Sequence, residues 1–165
     1  MATMLPLIED LLPMILPAPV VVTKAADILP SETGSRGSAA PAAPGVRVIS
    51  RDAVVGMTDK MCTSILIVKP NSSSSVRHHG EQDTIIYAVS GKGAILSQPA
   101  GDDEEPERHD LGPGDFAFIP AWTEHQAVND SEVDWHLLVI RSGSHPAEVN
   151  LTGWGGAEIK EPAKQ

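Results

Sequence analysis

Residues 114–129 read GDFAFIPAWTEHQAVN. Phe116 and Phe118 alternate with Ala117 and Ile119, and a period of two sends one set of side chains inward and the other outward along a strand. Pro120 has no N–H to give to a central ladder, so a bend is expected after FAFI. His125 then opens the next apolar run. A histidine at a bend between two strands can project its ring into an enclosed space. On its own such a residue is more often a hydrogen-bonded structural group than a ligand.

The same texture extends both ways from Val46. The runs VRVIS, TSILIV, TIIYAV, GAILS, DFAFIP, HQAV and WHLLVIR are short, apolar and separated by Gly, Pro, Asn or Asp. None holds a helical period for three turns, so the pattern is that of an all-β sandwich or barrel. SGKG at 90–93 reads as a hairpin turn between TIIYAV and AILS. LGPGD at 111–115 reads as a chain reversal before FAFIP. The acidic run GDDEEPERHD between them reads as a solvated loop.

Before Val46 the composition differs. LIEDLL is short and amphipathic, VVVTKAADI reads as a first strand and its exit, and residues 30–45 are rich in Pro, Gly, Ala and Ser, as a surface loop or linker would be. The expected organisation is an extension and loop over 1–45, a barrel over 46–153 and a polar tail over 154–165, with Trp154 pinning the tail.

At 165 residues the chain suits one domain with a real core. Aromatic residues make up only 4% against 41% hydrophobic, so that core must be mainly aliphatic. The net charge of −10 and the lack of a Lys/Arg cluster argue against nucleic acid as a partner. Cys62, the single cysteine, excludes an internal disulfide and reads as a buried, inert thiol. The apolar N-terminal stretch has no basic residue ahead of it, is interrupted by Glu9 and Asp10, and is broken by Pro6, Pro13, Pro17 and Pro19. No run reaches the roughly 18 apolar residues of a membrane span. The expectation is a cytoplasmic protein that does not engage a membrane. The sequons at Asn71, Asn129 and Asn150 would matter only in a secreted chain.

A second stretch carries most of the remaining chemistry: SSVRHHGEQDTIIYAVSGKG, residues 74–93. His78, His79, Glu81, Gln82 and Asp83 crowd together just before a strand, as a metal site or a polar turn would.

Taken together, the two stretches resemble the signatures of the cupin superfamily. Gly114, Pro120, His125 and Asn129 fall at the spacings of the second signature, with Trp122 where that pattern has glycine. RHHGEQDTIIYAVSG is similar to the first signature, His-x-His followed by glutamate and then glycine. The resemblance implies a small jelly-roll β-barrel. It also implies one divalent transition metal (Zn, Ni, Cu, Fe or Mn) held in the barrel by three histidines and a carboxylate, because imidazole suits these ions and one anionic oxygen offsets part of their charge.

Carried over residue by residue, His79 and His125 match ligand positions. The first histidine falls on Arg77, and the glutamate falls on Thr84. Gln82 shares the parity of residues 84, 86 and 88 and is the first candidate to complete the site. His78 ranks next, then Asp83, which would need a bulge, and Glu81 last. In the alternative reading, Arg77 faces inward beside His79, repels a cation and makes an anion pocket with His125. Trp122 could line the rim of the pocket or pack under a loop. His136 is expected to point outward or pack, and His109 and His145 to be solvated.

The resemblance implies a small-molecule ligand in the lumen and a homodimer paired through outer strands, with the N-terminal extension adding a strand to the partner or wrapping the barrel. Three function classes stand open: a metal-dependent dioxygenase similar to quercetinase-type cupins, a lyase or isomerase using a Lewis-acid metal, and a non-catalytic binder of a small ligand or anion without metal.

Overall fold

The computed structural model describes residues 19–28, 47–98 and 104–160. The amphipathic LIEDLL segment, the 30–45 loop and the end of the tail lie outside the described residues. The regular structure of the described chain is almost entirely strand: β1 Val48–Val54, β2 Met61–Val68, β3 Ser72–Ser73, β4 Arg77–His78, β5 Thr84–Ser90, β6 Gly93–Ser97, β7 Glu107–Leu111, β8 Phe116–Ile119, β9 His125–Asn129, β10 Trp135–Ser142 and β11 Val149–Asn150. One short helix, α1, spans Ala25–Ile28. No helix among the described residues is long and apolar enough to cross a membrane.

The strands form two antiparallel sheets. One runs β1-β2-β10-β5-β8, and the other runs β11-β4-β9-β6-β7 with β3 also on β9. Leu66, Val68, Ile86, Ala88, Leu137 and Val139 of the first sheet meet Ile95, Leu111 and Ala127 of the second, around a fully buried Trp135. This is the jelly-roll arrangement, and its core is aliphatic as the composition requires. The alternation that builds it is cleanest in β10, where Trp135, Leu137, Val139 and Arg141 are buried and the residues between them are not. The last of the buried set is an arginine.

Three local expectations are corrected. The second half of GDDEEPERHD is strand rather than loop, since Glu107–Leu111 forms β7 and pairs with β6. VVVTKAADI forms no strand: Val20 is 92% exposed, no ladder partner lies beside it, and the segment is tied to β1 through the Thr23 hydroxyl, which donates to the Ala53 carbonyl at 2.7 Å. SGKG does not close a hairpin either. β5 pairs with β10 and β8, whereas β6 pairs with β7 and β9, so residues 90–93 carry the chain from one sheet to the other. Gly91 makes that crossing at φ 74°, and both it and Gly93 lie so close to the Asp134–Trp135 backbone or the Trp135 ring that a Cβ would collide.

Candidate functional site

One end of the barrel gathers side chains that lie far apart in sequence. β4 and β9 meet there, with Arg77 and His125 as register partners. Thr84 opens β5 and pairs with Arg141 near the end of β10. His79 follows β4, immediately before a turn through Gly80. All five are buried, at 5% exposure or less. Glu148, from the segment between β10 and β11, completes the group.

His79 is held at both nitrogens. Arg141 Nη2 lies 3.2 Å from its Nε2, and Thr84 Oγ1 lies 2.8 Å from its Nδ1. A guanidinium only donates, so Nε2 accepts and Nδ1 carries the hydrogen that goes to Thr84. Burial, then the charge of Arg141, pushes proton uptake by this ring far below the ordinary histidine range.

His125 is the reverse case. Its Nδ1–H donates to the Thr123 carbonyl at 3.0 Å, which fixes the tautomer and leaves a lone pair on Nε2. That Nε2 is buried and has no hydrogen-bond partner among the described residues. Burial lowers its pKa to about 4; the Thr123 carbonyl opposes that shift and Arg77 adds to it. The two imidazoles meet edge to face, 4.5 Å between centroids.

Behind them is an ionic triad. Glu148 Oε2 lies 3.0 Å from Arg77 Nη1 and 3.7 Å from Arg141 Nη2. Burial alone would raise the Glu148 pKa, but Arg77 and Arg141 hold it below the usual carboxylate range. Two guanidiniums face one carboxylate and both imidazoles are neutral, so the barrel end carries one uncompensated positive charge.

A cavity of about 630 Å³ opens between β7 and β8. Its walls include Ile95, Leu111, Ala117 and Ile119, and His125 is the one fully buried polar residue in its lining. His79, Arg77 and Arg141 do not line it.

The remaining sequence candidates sit elsewhere. Gln82 does not face the lumen. Its Nε2 donates to the Ser142 and His145 carbonyls at 2.5 and 2.8 Å, and its Oε1 accepts from Ala147 N–H at 2.7 Å. The parity argument fails because residues 80–83 form a turn and β5 begins only at Thr84. His78 lies on the face of β4 opposite Arg77; its Nδ1 accepts from the Gly80 N–H, and its ring lies 5.4 Å from Trp122. Trp122 is 61% exposed at φ 63°, on the outer rim rather than in the cavity lining. Asp83 accepts from the Ala121 N–H at 3.1 Å, and Glu81 is exposed. His136 is only partly buried, on the outward parity of β10.

This donor set does not fit a resident divalent metal. Of the four ligand positions, two are Arg77 and Thr84, and the lone pair of His79 is engaged by a cation. No cluster of three or more His, Cys, Asp or Glu residues among the described residues could hold an ion. A second positive charge a few ångströms from two guanidiniums would be repelled by several kcal/mol at the effective dielectric of such a site (~4 kcal/mol per unit-charge pair at 4 Å).

Arg141 and Glu148 were not among the sequence candidates. Arg141 was legible in principle, since it keeps the inward parity of Trp135, Leu137 and Val139 in WHLLVIR. Glu148 lies in an irregular segment and carries no periodic signal.

Comparison with known proteins agrees with this architecture. The cupin domain family matches residues 64–141. No curated protein matches the sequence. Among solved structures, a conserved protein of Klebsiella pneumoniae with a double-stranded β-helix domain superposes with a TM-score of 0.53 at 13% identity, over 72% of this chain and 93% of that one. The polyketide cyclase RemF of Streptomyces resistomycificus gives 0.52 at 23% identity, over 62% and 70%. The oxalate decarboxylase of Lactobacillus farciminis gives 0.54 at 13% identity, over 62% of this chain and 31% of that one. At these identities the likeness concerns the fold. The two signatures around His79 and His125, the two facing sheets and the matched domain together make this chain a member of the cupin superfamily.

Proposed function

We propose that this cupin binds a small organic molecule in its lumen without a resident metal, through an acidic hydroxyl that donates to His125 Nε2. The observation that carries this reading is the bare, buried Nε2 of His125 at the wall of a cavity whose lining mixes apolar Ile95, Leu111, Ala117 and Ile119 with polar residues that include Asp110 and Asp115. An unpaired buried acceptor costs about 1–3 kcal/mol, which a donor from a ligand recovers. Because Nδ1–H is fixed on Thr123, the ring can only accept at Nε2, so the ligand must bring the hydrogen.

The arginines select the kind of donor. Their field disfavours a protonated imidazole and favours negative charge on the ligand's oxygen, so a phenolic or enolic hydroxyl fits better than an alkyl alcohol. Ile95, Leu111, Ala117 and Ile119 accommodate an apolar body. The geometry supports binding and offers no step through a metal, because Arg77, Thr84 and the engaged lone pair of His79 stand where a dioxygenase or Lewis-acid centre would need ligands.

The probes are 2-naphthol and 2-methoxynaphthalene, which differ only in the hydroxyl hydrogen, and the readout is ligand-observed NMR titration. The wild type is expected to bind 2-naphthol about tenfold more tightly, the worth of one hydrogen bond of roughly 1.4 kcal/mol. His125→Phe abolishes the preference, and Ala117→Phe, which fills the cavity, abolishes binding of both. Equal affinity for the two probes in the wild type, or a preference that survives His125→Phe, contradicts the reading.

A further inference from the structure

The triad Arg77–Glu148–Arg141 makes no contact in the lumen reading, which draws only on the field of its arginines, and its geometry is that of a carboxylate site already filled from within. Both guanidiniums are nearly sealed, with side-chain exposures of 6% and 5%, whereas the Glu148 side chain is 31% exposed and is the member closest to solvent. Arg77 Nε and Arg141 Nε are buried and have no hydrogen-bond partner among the described residues. A guanidinium has five N–H donors in a planar fork suited to bidentate carboxylate binding, and here one carboxylate oxygen, Glu148 Oε2, serves two such forks. The triad is thus short of both acceptors and negative charge.

Glu148 is also the member held most loosely by backbone structure. Arg77 and Arg141 are on strands β4 and β10. Glu148 ends the irregular segment that follows β10, and Gln82 grips that segment at Ser142, His145 and Ala147 but not at Glu148 itself. The carboxylate can therefore leave by a rotation of its own side chain while the arginines stay in place.

We infer that Arg77 and Arg141 form a binding site for a small carboxylate, reached from solvent at the barrel end, and that Glu148 is the internal carboxylate which an incoming ligand displaces. The ligand is a small organic acid with one accessible carboxylate; its two oxygens supply acceptors that the single Glu148 oxygen does not. The inference does not rest on the lumen reading, because neither arginine lines the cavity and His125 Nε2 takes no part in it.

The test is thermal denaturation of the wild type and of Glu148→Ala in rising sodium acetate, with sodium chloride at equal ionic strength as reference. In Glu148→Ala, acetate restores stability saturably and chloride does not. In the wild type the same effect needs at least tenfold more acetate, because Glu148 competes. Adding Arg141→Met to Glu148→Ala removes the acetate response. If Glu148→Ala does not fold, Glu148→Gln serves in the same titration, since it keeps the side-chain volume while releasing the guanidiniums. The inference is overturned if the acetate and chloride curves coincide in the Glu148 variant, or if the acetate response survives loss of Arg141.

Discussion

Arg141 Nη2 donates to His79 Nε2 at 3.2 Å, so a fixed cation occupies the lone pair that a metal would need. The same guanidinium lies 3.7 Å from Glu148. Arg141 thereby couples the His79–His125 pair to the ionic triad at the barrel end, and the consequences of removing it differ from those of removing Glu148.

Arg141 is the surplus charge in the triad. Arg141→Met leaves Arg77 and Glu148 as a balanced pair and costs mainly one hydrogen bond to His79, about 1 kcal/mol. Glu148→Gln leaves two buried like charges without a counter-ion. Breaking a buried pair from one side costs ~3–5 kcal/mol, reduced here to about 2 because Glu148 is partly solvated. Urea unfolding of the two variants should rank them in that order. A larger loss for Arg141→Met contradicts the charge assignment.

The acid dependence follows from His125. Its folded pKa, about 4, lies below its unfolded value of 6.5. As pH falls below 6.5 the unfolded chain takes up a proton that the native ring refuses, so stability drops, and the loss from this group is complete near pH 4. A depression of this size corresponds to about 3 kcal/mol. His79, depressed further, loses stability over the same window and continues below it. The depressed carboxyl of Glu148 acts in the same direction, its contribution being present above the ordinary carboxylate range and lost as pH falls through its folded value. Urea unfolding between pH 7 and 4 should therefore show a slope near two protons below pH 6, and His125→Asn should reduce it by one. A flat profile over that interval contradicts the neutral-histidine wall.

Trp122 occupies a position where glycine would be at ease. Its φ of 63° lies in the left-handed region, which costs a bulky residue about 1–2 kcal/mol, and its ring is mostly solvent-exposed. Trp122→Gly is expected to be more stable than Trp122→Ala by about 1 kcal/mol, whereas a residue at ordinary φ gives the reverse order. The midpoints of thermal unfolding for the two variants decide it.

The parts of the fold that follow a period of two were readable from sequence. FAFI and WHLLVIR alternate as strands do, and both lie where that alternation puts them. His79 and His125 were found because the family spacing selects them. What escaped lies where the period breaks. Extending the parity of β5 back to Gln82 points that residue to the lumen, but residues 80–83 form a turn that does not share the parity. SGKG has the composition of a hairpin, but whether residues 90–93 turn back within one sheet or cross to another is decided by the pairing of β5 and β6 with distant strands. The triad combines Arg77, whose inward orientation was an alternative, with Arg141, whose parity was available but unused, and with Glu148, which nothing local marks. A site assembled from β4, β10 and an irregular segment is written in tertiary pairing rather than in local pattern.

The most direct test of the central claim is the long-range ¹⁵N–¹H spectrum of the histidine rings in untagged protein, recorded before and after one equivalent of zinc. The account predicts that His79 and His125 are both neutral with the hydrogen on Nδ1, that His125 Nε2 has the shift of a bare lone pair, and that zinc leaves both rings unchanged. Stoichiometric movement of both Nε2 resonances on adding zinc would show a metal centre at the barrel end and contradict it.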